Sequence, residues 1–236
     1  MGRIFEKRKH KMFARYDKMA KAFTRAGKEI AIAVKQGGPN PEYNPRLRMA
    51  IQNAKAVNMP KDRIDAAIKR AVSKDEADLE EITYEGYAPY GVAIIMEAAT
   101  NNSTRTVANI RTYLNRAGGS LGKTGSLDFI FDRKSVFKLQ DKNLNIEDLE
   151  LELIDFGLEE LGHDEEGNVV IYAGFTDFSN MQKALEERKI EVLSAEVQRI
   201  PNTFTELSEE QENEVLELIE KLEADDDIQN VYHNLK

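Results

Sequence analysis

Apolar residues recur at helical spacing from the start of the chain. Met12, Tyr16, Met19, Phe23, Ile30 and Val34 fall on one side of a wheel turned about 100° per residue. They predict one long helix with a single core-facing stripe. Gly37-Gly38 predicts its end, and Pro39 and Pro41 prevent an immediate restart. A second helix is expected to open at Asn44-Pro45, where a capping side chain precedes proline at the first helical position. Its inward positions are Leu47, Ala50, Ile51 and Ala54, and Asn58 closes it. A third helix is expected from Pro60, with Ile64, Ala67, Ile68 and Val72 inward. Short connections between three such helices predict a small bundle.

The pattern then changes to short strands alternating with helices. Residues 135–198 read strand (Ser135–Leu139), helix (Ile146–Phe156), strand (near Glu159–Leu161), strand (Asn168–Tyr172), helix (Asp177–Arg188), strand (Val192–Val197). That order, βαββαβ, is the split-βαβ or ferredoxin-like arrangement. With this unit removed, the flanks repeat it: strand Val92–Glu97, helix Thr104–Arg116, strand Leu127–Phe131, then strand Arg199–Thr205, helix Glu209–Leu222 and strand Ile228–Tyr232. The expected fold class is α+β: an N-terminal three-helix bundle (1–75) and two ferredoxin-like domains. One of these is discontinuous (80–133 and 199–236) and the other, 134–198, is inserted in it.

Charge adds to this picture through its distribution. The chain has 236 residues, 32% of them charged, with 33 Lys+Arg against 42 Asp+Glu and a net charge of -9. The total excludes a uniformly basic nucleic-acid coat protein. Residues 1–72, however, hold 18 Lys+Arg and 6 Asp+Glu, a net of +12, which leaves -21 for the remainder. A polyanion responds to the local field within a Debye length of about 8–10 Å, so a basic head on an acidic body can bind phosphate one end first. The absence of cysteine excludes disulfides, thiolate zinc sites and thiol nucleophiles, and it fits a reducing cytosol. No run of 18 apolar residues is present, and Met1–Lys11 is basic without an apolar segment, so neither a membrane span nor a secretory signal is expected.

The sharpest formal match to catalytic chemistry is Ala117-Gly118-Gly119-Ser120-Leu121-Gly122-Lys123-Thr124, a loose phosphate-binding loop. Such a loop follows a strand and opens a helix whose N-terminus faces the phosphate. Here the expected helix precedes the loop and the expected strand follows it. The context therefore favours a glycine helix cap with Lys123 exposed. His10, His163 and His233 are far apart and share no ligand spacing. The acidic clusters Glu159-Glu160, Asp164-Glu165-Glu166 and Asp225-Asp226-Asp227 lack the calcium-loop pattern and are expected to be solvated turns. No catalytic residue, metal or cofactor is expected.

The basic head is the candidate site. Lys11, Arg15, Lys18, Lys21, Arg25 and Lys28 lie outside the apolar stripe of the first helix. Arg46, Arg48, Lys55, Lys61, Arg63 and Lys69 add to them from the other two helices. Phosphate neutralisation is expected to dominate, because aromatic side chains suited to base stacking are few on the polar side, namely Phe13 and Tyr43. Arg105 and Lys123, at helix ends of the next domain, form a possible second contact surface. Nothing in the pattern demands an oligomer.

Several strings carry a resemblance. Asn44-Pro45-Arg46-Leu47-Arg48, Asn58-Met59-Pro60-Lys61-Asp62, Tyr84-Glu85-Gly86-Tyr87-Ala88-Pro89, Asn102-Ser103-Thr104-Arg105-Thr106-Val107, Gly118-Gly119-Ser120-Leu121-Gly122 and Gln229-Asn230-Val231-Tyr232-His233-Asn234 resemble the YebC family over nearly the whole chain. That family includes the mitochondrial translational activator of cytochrome oxidase subunit one. The resemblance implies a three-domain, cytoplasmic, non-enzymatic protein of a kind described as a DNA-binding transcriptional regulator. It also implies an alternative, since other members act on the ribosome, where they relieve stalling on proline-rich nascent chains. The expected partner is thus DNA or ribosomal RNA. Many members begin with Gly-His-Ser-Lys-Trp, whereas Gly2-Arg3-Ile4-Phe5-Glu6 stands here, so a contact made by that tryptophan segment does not carry over. Ala88-Pro89-Tyr90-Gly91 replaces the family's Gly-Pro-Gly-Gly turn with a bulkier tip.

Overall fold

The computed structural model describes residues 3–73, 78–140 and 144–236, with side chains from residue 18 onward. Its elements divide into two compact units, residues 1–124 with 206–235 and residues 125–205 with Lys236.

The first unit begins with α1 (Arg3–Gly37), α2 (Pro45–Ala56) and α3 (Lys61–Val72). Local chemistry accounts for each boundary. Gly38 has φ +85, and the Asn44 side chain packs so closely on Gly37 that a Cβ there would lie 2.7 Å from it. The same Asn44, 3% exposed, accepts from Leu47 N (3.0 Å) through Oδ1 and donates to the Ala33 and Gly38 carbonyls (2.7 and 2.8 Å) through Nδ2. One buried amide therefore caps α2 and satisfies carbonyls at the end of α1. Asn58 takes φ 62, and Met59 N and Asn58 N bond back to Ala54 O and Lys55 O, closing α2 by the left-handed capping pattern. Ile30, Ala33 and Val34 of α1 pack with Leu47, Ala50, Ala54, Met59, Ile64, Ala67 and Ala71. Val72, expected inward, is instead 57% exposed at the last position of α3, where Ala71 takes the core side.

The rest of the first unit is a four-stranded sheet with two helices. Strands β1 (Glu80–Tyr87), β2 (Ala93–Thr100) and β3 (Ser120–Leu121) are joined by a last strand, β8 (Ile228–His233), in the order β3-β1-β2-β8. Every neighbouring pair is antiparallel. Helices α4 (Ser103–Arg116) and α7 (Glu209–Glu223) bury Ile110, Leu114, Val215, Leu218 and Leu222 with Ile94 and Met96 of β2. Asn102 caps α4 by accepting from Arg105 N (3.0 Å), and Ser208 with Gln211 forms a reciprocal capping box on α7.

The second unit contains β4 (Phe131–Leu139), α5 (Ile146–Leu153), β5 (Leu158–His163), β6 (Val169–Gly174), α6 (Phe178–Glu187) and β7 (Val192–Pro201). Its sheet has the order β5-β6-β4-β7, antiparallel throughout. Phe137 of β4 meets Phe178 of α6 with ring centroids 5.0 Å apart.

Two expected elements of the first sheet are corrected. Leu127–Phe131 is not a strand beside β2: turns occupy residues 124–130, and Phe131 opens β4 of the other sheet. Arg199–Thr205 is likewise not a separate strand, because β7 continues through Pro201 in register with β4. Two unexpected strands, β1 and β3, take those places. The first sheet is consequently ββαβ followed by αβ, not βαββαβ. Its hairpin β1–β2 makes eight consecutive pairs from Glu80↔Thr100 to Tyr87↔Ala93, which puts strand pairing where the sequence shows charged and glycine residues.

Candidate nucleic-acid interface

The cations of the helical domain fall into two groups once side chains are in place. Lys18, Lys55, Lys61, Arg63 and Lys69 are exposed, and Lys21 is half-buried. Lys11 and Arg15 lie outside the residues whose side chains are described. The remaining four are engaged within the chain.

Lys28 is the most committed. Its Nζ donates to the Ala99 carbonyl (2.7 Å), the Asp226 carbonyl (2.7 Å) and Asp227 Oδ1 (3.2 Å). One turn earlier, Arg25 Nη2 donates to the Glu223 carbonyl at 2.9 Å, at the end of α7. Arg46 grips Glu81 of β1 through both terminal nitrogens (2.5 and 3.1 Å) and donates to Gln36 Oε1 (2.7 Å). Arg48 donates to the Pro41 carbonyl (3.1 Å) and braces the α1–α2 connection. Two of these cations thus tie α1 to the turn between α7 and β8, and a third ties α2 to the sheet.

The receiving turn is Asp225-Asp226-Asp227, and it is not the solvated turn its composition predicts. Asp227 is 7% exposed. Besides Lys28 it accepts from Arg105 Nη2 (2.7 Å) and Thr106 Oγ1 (2.9 Å) at the first turn of α4. Burial alone would raise the Asp227 carboxyl; hydrogen bonds from Arg105, Thr106 and Lys28 outweigh it and hold the group below its ordinary value. Asp225 accepts from Asp227 N (3.0 Å), Tyr113 OH (3.0 Å) and Asn109 Nδ2 (3.2 Å). A run of three acidic residues signals solvent by composition alone, and the partners that reverse that reading lie more than 100 positions away.

Arg105 therefore sits in this network with its side chain half-exposed, whereas Lys123 is exposed beyond β3. The glycine-rich segment between them closes α4. Gly118 (φ +83) and Gly119 bond back to Asn115 O (3.1 Å) and Leu114 O (2.8 Å). A Cβ on Gly119 would clash with Tyr87 O, so glycine here permits close approach to β1. Turns, not a helix, follow the loop; the Gly118 and Gly119 amides serve the helix end, and Gly122 N donates to Glu85 O of β1 (2.7 Å).

Among the described residues, α1 and α3 leave a groove of about 470 Å³ between them. Phe23, Thr24, Gly27 and Lys28 of α1 face Arg63 and Arg70 of α3 across it. The guanidinium of Arg63 lies 5.8 Å from the centroid of the Phe23 ring, within cation–π range. Arg70 is a member of this groove that the charge pattern alone does not single out, although its outward position on α3 is legible from the helical period. In the second unit the cations pair locally: Lys138 with Asp164 and Glu166, Lys134 with Glu159, Arg188 with Glu152. His163 is exposed on β5, and His233 on β8 is held below its ordinary pKa by burial, against the pull of Glu223. No group of three metal-ligating side chains occurs among the described residues, and no described helix is long and apolar enough to cross a membrane.

Comparison with known proteins covers almost the whole chain. Residues 3–74 match the TACO1/YebC protein N-terminal domain, and residues 79–235 match the TACO1/YebC second and third domain. A "probable transcriptional regulatory protein" of Cytophaga hutchinsonii is 60% identical over 236 residues, covering 100% of this chain and 98% of that protein. One of the same description from Parabacteroides distasonis is 57% identical over 237 residues, covering 100% and 97%. The crystal structure of a conserved hypothetical protein from Aquifex aeolicus is 35% identical and superposes with a TM-score of 0.78, covering 92% of this chain and 90% of that one.

Proposed function

The chain belongs to the TACO1/YebC family, and on that premise we propose that it is a non-enzymatic regulator of gene expression that binds DNA and acts on transcription. The regulatory role follows the description its relatives carry. The observation that carries the binding is the charge of the helical domain, +12 over residues 1–72, with Lys18, Lys55, Lys61, Arg63 and Lys69 exposed on it. An excess of this size is costly through self-repulsion unless a polyanion relieves it. These lysines and Arg63, with Lys21, Lys11 and Arg15, neutralise phosphates, and the acidic remainder of the chain disfavours contact with the polyanion outside the helical domain. Arg25, Lys28, Arg46 and Arg48 hold that end in place instead.

One observation favours a second reading, a ribosome-associated factor contacting ribosomal RNA. The outward residues of α3 are Lys61, Asp62, Arg63, Asp65, Ala66, Lys69, Arg70 and Val72, with no Asn or Gln to read adenine in a major groove. Such a face suits backbone and shape recognition. Crosslinking in cells followed by sequencing of the attached nucleic acid tests both. Discrete promoter DNA is expected from the first reading; a predominance of ribosomal RNA replaces it with the second, and no enrichment overturns both.

A further inference from the structure

We propose that the groove between α1 and α3 is a seat for one unpaired RNA nucleotide, a contact distinct from phosphate neutralisation along the helical surface. The inference rests on the nucleic-acid reading of the helical domain, and of its two targets it favours RNA.

Charge selects an anionic occupant. Among the described residues, those lining the groove include Lys28, Arg63 and Arg70 and no carboxylate. The Lys28 ammonium is already spent on Ala99, Asp226 and Asp227, so the charge offered to a ligand is that of the two arginines. Arg63 and Arg70 stand two helical turns apart on α3, about 10 Å at 1.5 Å per residue, a span that admits one nucleotide with its two flanking phosphates. Guanidinium groups suit this role, because they pair with phosphate in a fork and stack on a planar ring.

Shape selects a flat occupant. Gly27 forms the floor, and a Cβ built on it meets no atom within 4 Å, so the groove is open where a side chain is missing. Phe23 lies beneath Arg63 and supports a guanidinium plane on which a base can stack. The volume of about 470 Å³ lies within the range of small-ligand sites and exceeds what a bare phosphate would fill.

RNA fits better than duplex DNA. Its loops and bulges present bases already splayed out, whereas a duplex base must first be extruded at a cost. Thr24 Oγ1 donates to Ala20 O (3.1 Å) and so retains acceptor capacity at the groove, where a ribose 2′-hydroxyl can donate to it.

Gly27→Leu places its Cβ where no atom lies within 4 Å, extends into the groove and improves helix propensity, so the fold should be kept. Binding of the full-length protein to labelled decauridylate, to decadeoxythymidylate and to an RNA duplex is measured by fluorescence anisotropy, with thermal melting as the control for folding. Gly27→Leu should weaken decauridylate binding by about tenfold and duplex binding by less than about twofold, at an unchanged or raised Tm. Arg63→Lys, which keeps the charge and loses the plane, should weaken decauridylate in the same direction. Unchanged decauridylate binding in Gly27→Leu overturns the proposal while leaving phosphate binding intact, as does equal loss on single strand and duplex. Equal binding of decadeoxythymidylate removes the preference for RNA, and displacement of decauridylate by a polyglutamate peptide at equal charge makes the groove a general acidic site. If the wild-type protein binds none of the three probes, the reading of the helical domain falls with it.

Discussion

Lys28 and Asp227 stand 3.2 Å apart, Nζ to Oδ1, although 199 positions separate them in the chain. Their side chains are 17% and 10% exposed, so the pair is largely removed from solvent. Asp227 also holds Arg105 and Thr106, which makes one carboxylate the meeting point of α1, α4 and the turn before β8.

Replacing that carboxylate should be costly. Asp227→Asn keeps the shape but leaves the Lys28 ammonium with only carbonyl partners and releases Arg105. A loss of about 2–3 kcal/mol in urea unfolding is expected, in the range for charge-assisted hydrogen bonds to a buried partner. A loss below about 0.5 kcal/mol would show that the network is dispensable.

The same group sets a pH dependence. A carboxyl held below its unfolded value stabilises the fold above that value, about 3.9, and loses its contribution as pH falls through the folded pKa. Between about pH 5 and 7 Asp227 should therefore leave the unfolding midpoint flat, and below about pH 4 it should add to the decline. Asp227→Asn should show a shallower acid decline than wild type in chemical denaturation; parallel curves would mean that Asp227 does not titrate differently in the folded state.

Cations of the two groups should behave in opposite ways. Charge reversal of Lys18, Lys55 and Lys61 together should reduce the slope of log K against log salt by about 0.9 for each duplex phosphate no longer neutralised, with little change in Tm. Arg46→Gln should leave that slope unaltered and lower stability by roughly 1 kcal/mol or less, since the Arg46–Glu81 pair is only partly shielded from solvent. Filter binding across a salt series separates the two outcomes, and a salt slope that responds to Arg46 and ignores the lysines would reverse their roles.

The glycine segment after α4 should matter for folding and not for nucleotides. Gly119→Ala drives a Cβ into Tyr87 O, so backbone must shift, at about 1–3 kcal/mol. Addition of ATP and magnesium should leave the wild-type Tm unchanged in differential scanning fluorimetry. A rise in Tm would instead revive the phosphate-loop reading of Ala117–Thr124.

The boundaries of α1 to α3 are legible in the sequence because local groups write them: Gly37-Gly38, Asn44-Pro45, Asn58 and Pro60 act within a few residues of their own position. Strand β1 is hidden for the opposite reason. It carries the polar residues Glu80, Glu81, Thr83 and Glu85, and Gly86 is required by the approach of Ser120 O, so the apolar alternation shrinks to Ile82 and Tyr84. Leu127–Phe131 misleads because a short run of largely apolar character fits a turn and a strand start as well as a strand. The charge split between head and body is visible from composition, but the sorting of cations is not. Nothing near Lys18 and Lys28 in the sequence distinguishes a side chain that reaches solvent from one that reaches Asp227.

The pairing of Lys28 with Asp227 also imposes an order in time. The helical domain leaves the ribosome before the carboxylate that anchors it, which is made 199 residues after Lys28. At about 5–20 residues per second, Lys28 waits on the order of 10–40 s for its partner. The sheet waits with it, because β2 pairs on one side with β8. During synthesis, then, a cationic helix is exposed without the carboxylate that later occupies it, and arrival of the turn before β8 both joins the sheet and quenches part of that charge.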